Sequence, residues 1–100
     1  MTENRRKRNR TLLNLRVRLG GISGQYEARI GDIGLDGCYV DSMTRVDVGE
    51  MMELEVELPS GEWLPLRGRV TSCQESVGFG MEFSDLTDHE EAALKELLPE

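Results

Sequence analysis

The sequence predicts an all-β fold, a six-stranded antiparallel β-barrel with a C-terminal α-helix. Six segments alternate apolar and polar residues with a period of two, and segments rich in glycine separate several of them. One stretch with helical spacing follows the last of these segments. Because each predicted strand has a single apolar face, the six strands of this 100-residue chain need a common core, and a small barrel supplies one.

The first two strands are predicted to form a hairpin. Their inward-facing positions are Leu13, Leu15, Val17, Leu19, Tyr26, Ala28 and Ile30. If the turn centres near Gly21 or Ile22, antiparallel pairing sets residues whose numbers sum to about 43 opposite one another. We therefore expect Arg10 to lie beside residues 32–34.

Four more strands follow in the same pattern. A loop over residues 31–37, with three glycines, leads to a short third strand around residues 38–40. Turns are predicted at residues 47–50 and 59–62, and Pro65 suggests an edge or a bulge in the fifth strand because proline lacks an N–H. The inward-facing positions of the last three strands are Met52, Leu54, Val56, Leu58, Leu64, Leu66, Gly68, Val70, Val77, Phe79, Met81 and Phe83.

A helix is predicted at the end of the chain. Thr87 and Glu90 have the spacing of a capping box, in which each side chain bonds the backbone N–H of the other. The apolar stripe of this helix is Ala93, Leu94, Leu97 and Leu98. The chain is thus expected to be a single domain with a flexible basic arm at residues 1–10, a barrel at residues 11–86 and a helix at residues 87–98.

The charge is unevenly divided between the arm and the rest of the chain. Residues 1–10 hold five basic side chains and one acidic one, whereas residues 11–100 hold seven basic and eighteen acidic ones. The formal charges are therefore +4 and −11, which sum to the net charge of −7. Such asymmetry favours a local anionic target for the arm, with a solvated tail as the alternative.

Catalysis, metal binding and membrane insertion are not expected. Cys38 and Cys73 lack the spacing of a redox or zinc motif, and His89 is the only histidine. The chain contains no nucleophile elbow, phosphate loop or dinucleotide fingerprint. Glu53, Glu55 and Glu57 repeat with a period of two and read as a solvated outer face. With no secretory signal and no apolar run of about 20 residues, we expect a cytoplasmic protein without cofactors.

The basic arm and the loop with three glycines are predicted to meet. The hairpin brings Arg10 over this loop, where glycines allow backbone N–H groups to approach an anion closely. A compact anionic ligand could be held between them. The alternative is a surface ion pair between Arg10 and Asp32, worth about 0 to 1 kcal/mol.

These residues resemble the motifs of the PilZ domain family. The segment Arg6-Lys7-Arg8-Asn9-Arg10 fits the RxxxR motif of that family. The segment from Asp32 to Gly37 fits the (D/N)xSxxG motif, with Gly34 in the position where serine is usual. The residues from Gly78 to Phe83 are similar to the final barrel strand, so the resemblance covers nearly the whole chain.

The resemblance implies that the chain binds the bacterial second messenger cyclic di-GMP. Arg6 and Arg10 would wrap the ligand, while Asp32, Gly34 and Gly37 would form the opposite wall. Arginine can bond guanine or phosphate with two parallel hydrogen bonds, and a carboxylate can accept from guanine N–H groups. Gly37 is expected to permit the turn of the loop, and the backbone N–H of Gly34 to remain for the ligand. The missing serine hydroxyl is expected to cost about 0.5 to 1.5 kcal/mol, a twofold to tenfold loss of affinity.

Two other functions compete with the messenger receptor, which would act through an effector protein that the sequence does not identify. One is a ligand-free module of the same fold that docks on a motility or secretion protein, and Gly34 favours it. The other is a nucleic-acid-binding barrel anchored by the basic arm. The charge of −11 outside the arm and the inward positions of Tyr26, Phe79 and Phe83 argue against DNA or RNA as a partner.

Overall fold

Six strands and one helix make up the computed structural model, which describes residues 11–21 and 24–98. The strands are β1 (Thr11–Gly21), β2 (Gly24–Ile33), β3 (Gly37–Asp41), β4 (Met51–Glu57), β5 (Trp63–Gln74) and β6 (Gly78–Phe83). The helix α1 (Asp88–Leu97) follows β6. The predicted number, order and type of elements are therefore confirmed.

The strands close into a barrel in which every neighbouring pair is antiparallel. Their order around the barrel is β1, β2, β3, β6, β5 and β4. Pairing of β1 with β4, from Val17 opposite Val56 to Gly21 opposite Met52, completes the closure. The closure is partial along some strands, because residues 24–28 of β2 pair with β1 only and residues 63–67 of β5 pair with β4 only.

One apolar core fills the barrel, and the period-two alternation predicted most of it. Its most deeply buried side chains include Val17, Ile30, Val40, Leu54, Val56, Leu66, Val70, Phe79 and Leu94. Val77 departs from the prediction, because the residue is 58% exposed. Val77 lies in the turn before β6, where its N–H bonds the carbonyl oxygen of Gln74 at 2.9 Å.

The hairpin register differs from the prediction by two residues near the turn and by one at the start of β1. Gly21 pairs with Gly24 and Leu15 with Ile30, so these residue numbers sum to 45 instead of 43. The turn is therefore centred between residues 22 and 23. Gly24 explains the difference near the turn, because its φ of +116° is the left-handed conformation that glycine adopts without strain. An irregularity between Leu12 and Leu15 shifts the register, so that the numbers of Leu12 and its partner Asp32 sum to 44.

The predicted loop between β2 and β3 is shorter than expected. Strand β2 continues to Ile33, so the connection comprises only residues 34–36. An irregularity between Ile30 and Asp32 in the β2–β3 pairing lets Ile33 turn into the core, where it is fully buried. A bulge of this kind changes the faces to which successive side chains point.

Pro65 lies in a part of β5 that pairs with one neighbour only. It stands opposite Glu55 of β4, whereas pairing of β5 with β6 begins at Gly68. The missing proline N–H therefore costs no bond to β6, in line with the predicted edge position.

The helix is held to the barrel by its apolar stripe and begins at the predicted capping box. Glu90 N–H donates to Thr87 Oγ1 at 3.1 Å, and Thr87 N–H donates to Glu90 Oε1 at 3.0 Å. Leu94 is fully buried, with Ala93, Leu97 and Leu98 packed around it against the core. Within residues 11–21 and 24–98, no helix combines the length and apolar character that crossing a membrane requires.

Candidate functional site

The candidate site is the end of the barrel where β1 begins and β2 turns into β3. Thr11, which follows Arg10 in the chain, pairs with Ile33, and Leu12 pairs with Asp32. The motif segment from Asp32 to Gly37 thus lies directly across from the first residues of β1. Arg6 and Arg10 themselves lie outside the described residues.

The short connection between β2 and β3 is tied down by backbone hydrogen bonds at both ends. Gly34 N–H donates to the carbonyl oxygen of Gly37 at 2.8 Å, and Gly34 is buried. Phe83 N–H donates to the carbonyl oxygen of Asp36, also at 2.8 Å. The expectation that the Gly34 N–H remains available to a ligand is therefore wrong, because the loop itself uses that donor.

Gly37 is required by a close approach of two strands. A Cβ atom built at Gly37 would overlap the carbonyl oxygen of Met81 on β6 and lie 3.2 Å from Glu82 Cα. The glycines with positive φ among the described residues are Gly24, Gly49 and Gly61, so Gly37 does not supply a left-handed turn. Its contribution is to let β3 and β6 approach closely, which corrects the role expected from the sequence.

Asp32 belongs to an outward-facing row of residues that crosses three strands. It pairs with Tyr39 on β3, which in turn pairs with Gly80 on β6. Asp32 and Tyr39 are both half-buried, while their neighbours Ile33 and Val40 point into the core. The structure therefore places an aromatic ring next to the carboxylate of the loop motif.

Tyr39 was not among the residues selected from the sequence, although it is central to this surface. Its hydroxyl donates to Gln74 Oε1 at 2.6 Å. Burial, followed by the charges of Asp41, Cys73 and Asp32, raises the pKa of the Tyr39 phenol above its ordinary value of 10.0. The phenol thus remains a neutral donor. The sequence signal that could have identified Tyr39 was the alternation in β3, which places this residue on the outer face between two inward-facing residues.

The described part of this surface carries more carboxylates than arginines. Arg29 stands opposite Asp41 in the β2–β3 pairing, and both side chains are exposed. Together with Asp32, these residues leave the described part of this surface with more negative than positive charge. An anionic ligand bound here therefore needs cations from elsewhere in the protein.

A surface cavity lies on a different part of the barrel. It encloses about 610 Å³ over β1, β2, β4 and β5 and includes none of the motif residues. Arg18 on its rim lies 3.9 Å from Glu27 and 3.7 Å from Glu55, so the charges at its mouth pair with one another. The guanidinium of Arg18 also stacks 3.9 Å above the Trp63 ring. The presence of a cavity alone thus does not identify the candidate ligand site.

No metal centre appears in the described part of the chain. Across residues 11–21 and 24–98, no three side chains of histidine, cysteine, aspartate or glutamate converge in a manner suited to a metal ion.

Comparison with known proteins identifies the family. The model of the PilZ domain matches residues 4–100, and the chain belongs to the PilZ domain family. PilZ domains are ligand-binding and adaptor modules. A search of curated protein sequences finds no match.

Two solved structures share the fold. The PilZ domain of CeSA from a cellulose-synthesizing bacterium superposes with a TM-score of 0.69 at 16% identity, covering 89% of this chain and 93% of that chain. The inhibitor of motility MotI/DgrA of Bacillus subtilis gives a TM-score of 0.67 at 17% identity, over 88% of this chain and 46% of that one. At sequence identities of 16% and 17%, the similarity shows a shared barrel fold and does not show a shared function.

Proposed function

We propose that this protein is a receptor for cyclic di-GMP that transmits the signal to a partner protein. The PilZ family is a family of cyclic di-GMP receptors, which supports the ligand class. The observation that carries the proposal is the pairing of Thr11 with Ile33. Through this pairing, the chain that bears Arg6 and Arg10 enters the barrel beside the motif segment from Asp32 to Gly37.

Each motif residue has a distinct role in this proposal. Arg6 and Arg10 bind the phosphates or the O6 and N7 atoms of guanine, since a guanidinium donates two parallel hydrogen bonds. Asp32 accepts from the guanine N–H groups. Gly34 and Gly37 keep the loop short and close to β6, so that the Asp32 carboxylate stays on the barrel surface.

Electrostatics makes the arm necessary for this ligand. Cyclic di-GMP carries two phosphate charges, while Asp32 and Asp41 contribute negative charge to the described surface. The five basic side chains of residues 1–10 supply the missing cations. Ligand contacts that exist only when the arm covers the loop shift the protein toward that state. The covered state then presents a different surface to an effector protein.

Isothermal titration calorimetry of the full chain tests the proposal. Cyclic di-GMP is the ligand, and GTP and cyclic di-AMP serve as controls for guanine and for the cyclic dinucleotide. We expect saturable, guanine-selective binding that is lost or greatly weakened in Arg6→Ala and Arg10→Ala.

Arg18→Ala provides a matched control for loss of one positive charge. The Arg18 side chain is 50% exposed and lies on the rim of the cavity over β1, β2, β4 and β5, where it pairs with Glu27 and Glu55 and not with the motif loop. Its replacement should leave affinity unchanged. Unchanged affinity in both Arg6→Ala and Arg10→Ala would refute the assignment.

A ligand-free interaction module is the second candidate. Gly34 lacks the hydroxyl that the motif usually carries, and its N–H bonds Gly37 within the loop, so this position offers a ligand no hydrogen-bond donor. A folded chain that gives no heat with saturating cyclic di-GMP would favour this function.

A further inference from the structure

We infer that Tyr39 forms the stacking platform for a guanine base whose edge is read by Asp32. This inference rests on the proposed function and adds a specificity-determining residue outside the two motifs. It is carried by the position of Tyr39, by the absence of a side chain at Gly78 beneath its ring and by the hydrogen bond that its hydroxyl makes.

Gly78 of β6 makes space for the Tyr39 ring, and Gly80 lies beside it. A Cβ atom at Gly78 would lie 2.7 Å from Cε2 and 3.1 Å from Cζ of Tyr39. A Cβ atom at Gly80 would lie 3.9 Å from Cδ1 of the same ring. The ring thus lies over the backbone of β6, and Tyr39 is only half-buried, which leaves part of the residue accessible to a ligand.

The hydrogen bond to Gln74 fixes the ring in this orientation. Gln74 stands opposite Gly78 in the β5–β6 pairing, and its Oε1 accepts from the Tyr39 hydroxyl at 2.6 Å. The ring therefore spans from β3 over β6 toward β5. An aromatic side chain that is held in place before binding loses little conformational entropy when a base stacks on it.

Asp32 lies at the right place to select the base. Directly opposed residues on antiparallel strands have Cβ atoms about 4.5 to 5.5 Å apart, so Asp32 lies next to the Cβ end of the Tyr39 side chain. A base that stacks on the ring and extends toward β2 brings its edge to the Asp32 carboxylate. Guanine presents two N–H donors, N1–H and N2–H, on its Watson–Crick edge. Adenine presents the N1 acceptor there, which a carboxylate repels. A base site formed by Tyr39 and Asp32 therefore favours guanine over adenine.

Replacement of the ring tests this inference with the full chain. Tyr39→Leu should lower the affinity for cyclic di-GMP by about 5- to 150-fold, the range for loss of one base-stacking contact. Tyr39→Phe retains the ring and should bind nearly as well as the original protein. Trp63→Leu is the matched control, because Trp63 is a half-buried aromatic residue on the opposite side of the barrel, beneath Arg18.

A measurement on the unmodified protein makes the test independent of the stability of the variants. A base stacked on Tyr39 should shift the NMR signals of its ring protons upfield through the ring current. Full affinity in folded Tyr39→Leu, or unshifted ring protons at saturation, would overturn the inference and leave the proposed function standing. Absence of binding by the unmodified protein would overturn both.

Discussion

The guanidinium of Arg67 donates hydrogen bonds to both carboxylate oxygens of Glu90, at 2.6 Å and 3.4 Å. The same guanidinium donates to the carbonyl oxygen of Asp85 at 3.1 Å, and Glu90 also accepts from the backbone N–H of Thr87. Because Arg67 belongs to β5 and Glu90 to α1, these bonds fasten the helix to the barrel.

Loss of the Glu90 charge should destabilise the protein at neutral pH. Burial alone would raise the pKa of Glu90, but hydrogen bonds from Thr87 and Arg67, with the charge of Arg67, outweigh it and hold the pKa below 4.5. Glu90→Gln should therefore lower the free energy of unfolding by about 1.5 to 3 kcal/mol. Urea denaturation measures this difference.

The pH dependence of that difference follows from the direction of the pKa shift. A carboxylate whose pKa is lowered by folding stabilises the protein above its unfolded value, and that contribution disappears as the pH falls through the folded value. The stability gap between the original protein and Glu90→Gln should narrow as the pH falls below 4.5. A gap that stays constant into strong acid would contradict this assignment.

Removal of the helix cap should lower the free energy of unfolding by less than loss of the Glu90 charge does. Thr87→Ala deletes the hydroxyl that accepts from Glu90 N–H at 3.1 Å, which should cost about 1 kcal/mol. Thr87→Ser retains the acceptor and serves as the control. Thermal unfolding of the three proteins should rank Ala below Ser, and equal midpoints for Ala and Ser would show that the cap does not stabilise α1.

A methyl group at Gly37 should be poorly tolerated. It would overlap the Met81 carbonyl oxygen, so β3 and β6 must separate, and overpacking of this kind costs about 1 to 3 kcal/mol or more. Gly20→Ala is the matched control, because its Cβ would meet nothing closer than Gln25 Cγ at 3.5 Å. Chemical denaturation should give a lower free energy of unfolding for Gly37→Ala than for Gly20→Ala. Equal free energies of unfolding would argue against the close approach of β3 and β6.

Restoration of the usual motif residue should strengthen ligand binding. Gly34→Ser supplies a hydroxyl in the loop, and we expect affinity for cyclic di-GMP to rise about twofold to tenfold. Gly34→Ala adds the Cβ atom without the hydroxyl and should not bind more tightly. Calorimetry compares the three proteins, and equal affinities for Ser and Ala would mean that the hydroxyl does not reach the ligand.

The barrel could be predicted from the sequence because most of its strands show a local alternation of apolar and polar residues. In β4, Met52, Leu54 and Val56 alternate with glutamates, and all three apolar side chains are buried. Val77 was misplaced because alternation continues into the turn before β6 and does not mark where pairing begins. Near the turn, the predicted hairpin register was wrong by two residues, because it depends on which of several glycines, here Gly24, adopts positive φ.

The candidate site was only partly accessible from the sequence. Asp32 was identified because it belongs to a motif with fixed spacing. Tyr39 was missed because its importance depends on β6, where Gly78 leaves room for its ring. Two further hydrogen bonds depend on the tertiary structure, so no local sequence pattern predicts them. They run from Gly34 N–H to the Gly37 carbonyl oxygen and from Arg67 to Glu90.

Mapping of backbone amide shifts during titration with cyclic di-GMP tests the central claim most directly. With ¹⁵N-labelled full-length chain, we predict the largest shifts at Asp32 and Gly37, at Tyr39 and at the arginines of the arm. Amides lining the 610 Å³ cavity, such as those of Gly20 and Glu55, should stay nearly unchanged. Shifts centred on that cavity, or none at saturating ligand, would contradict the account.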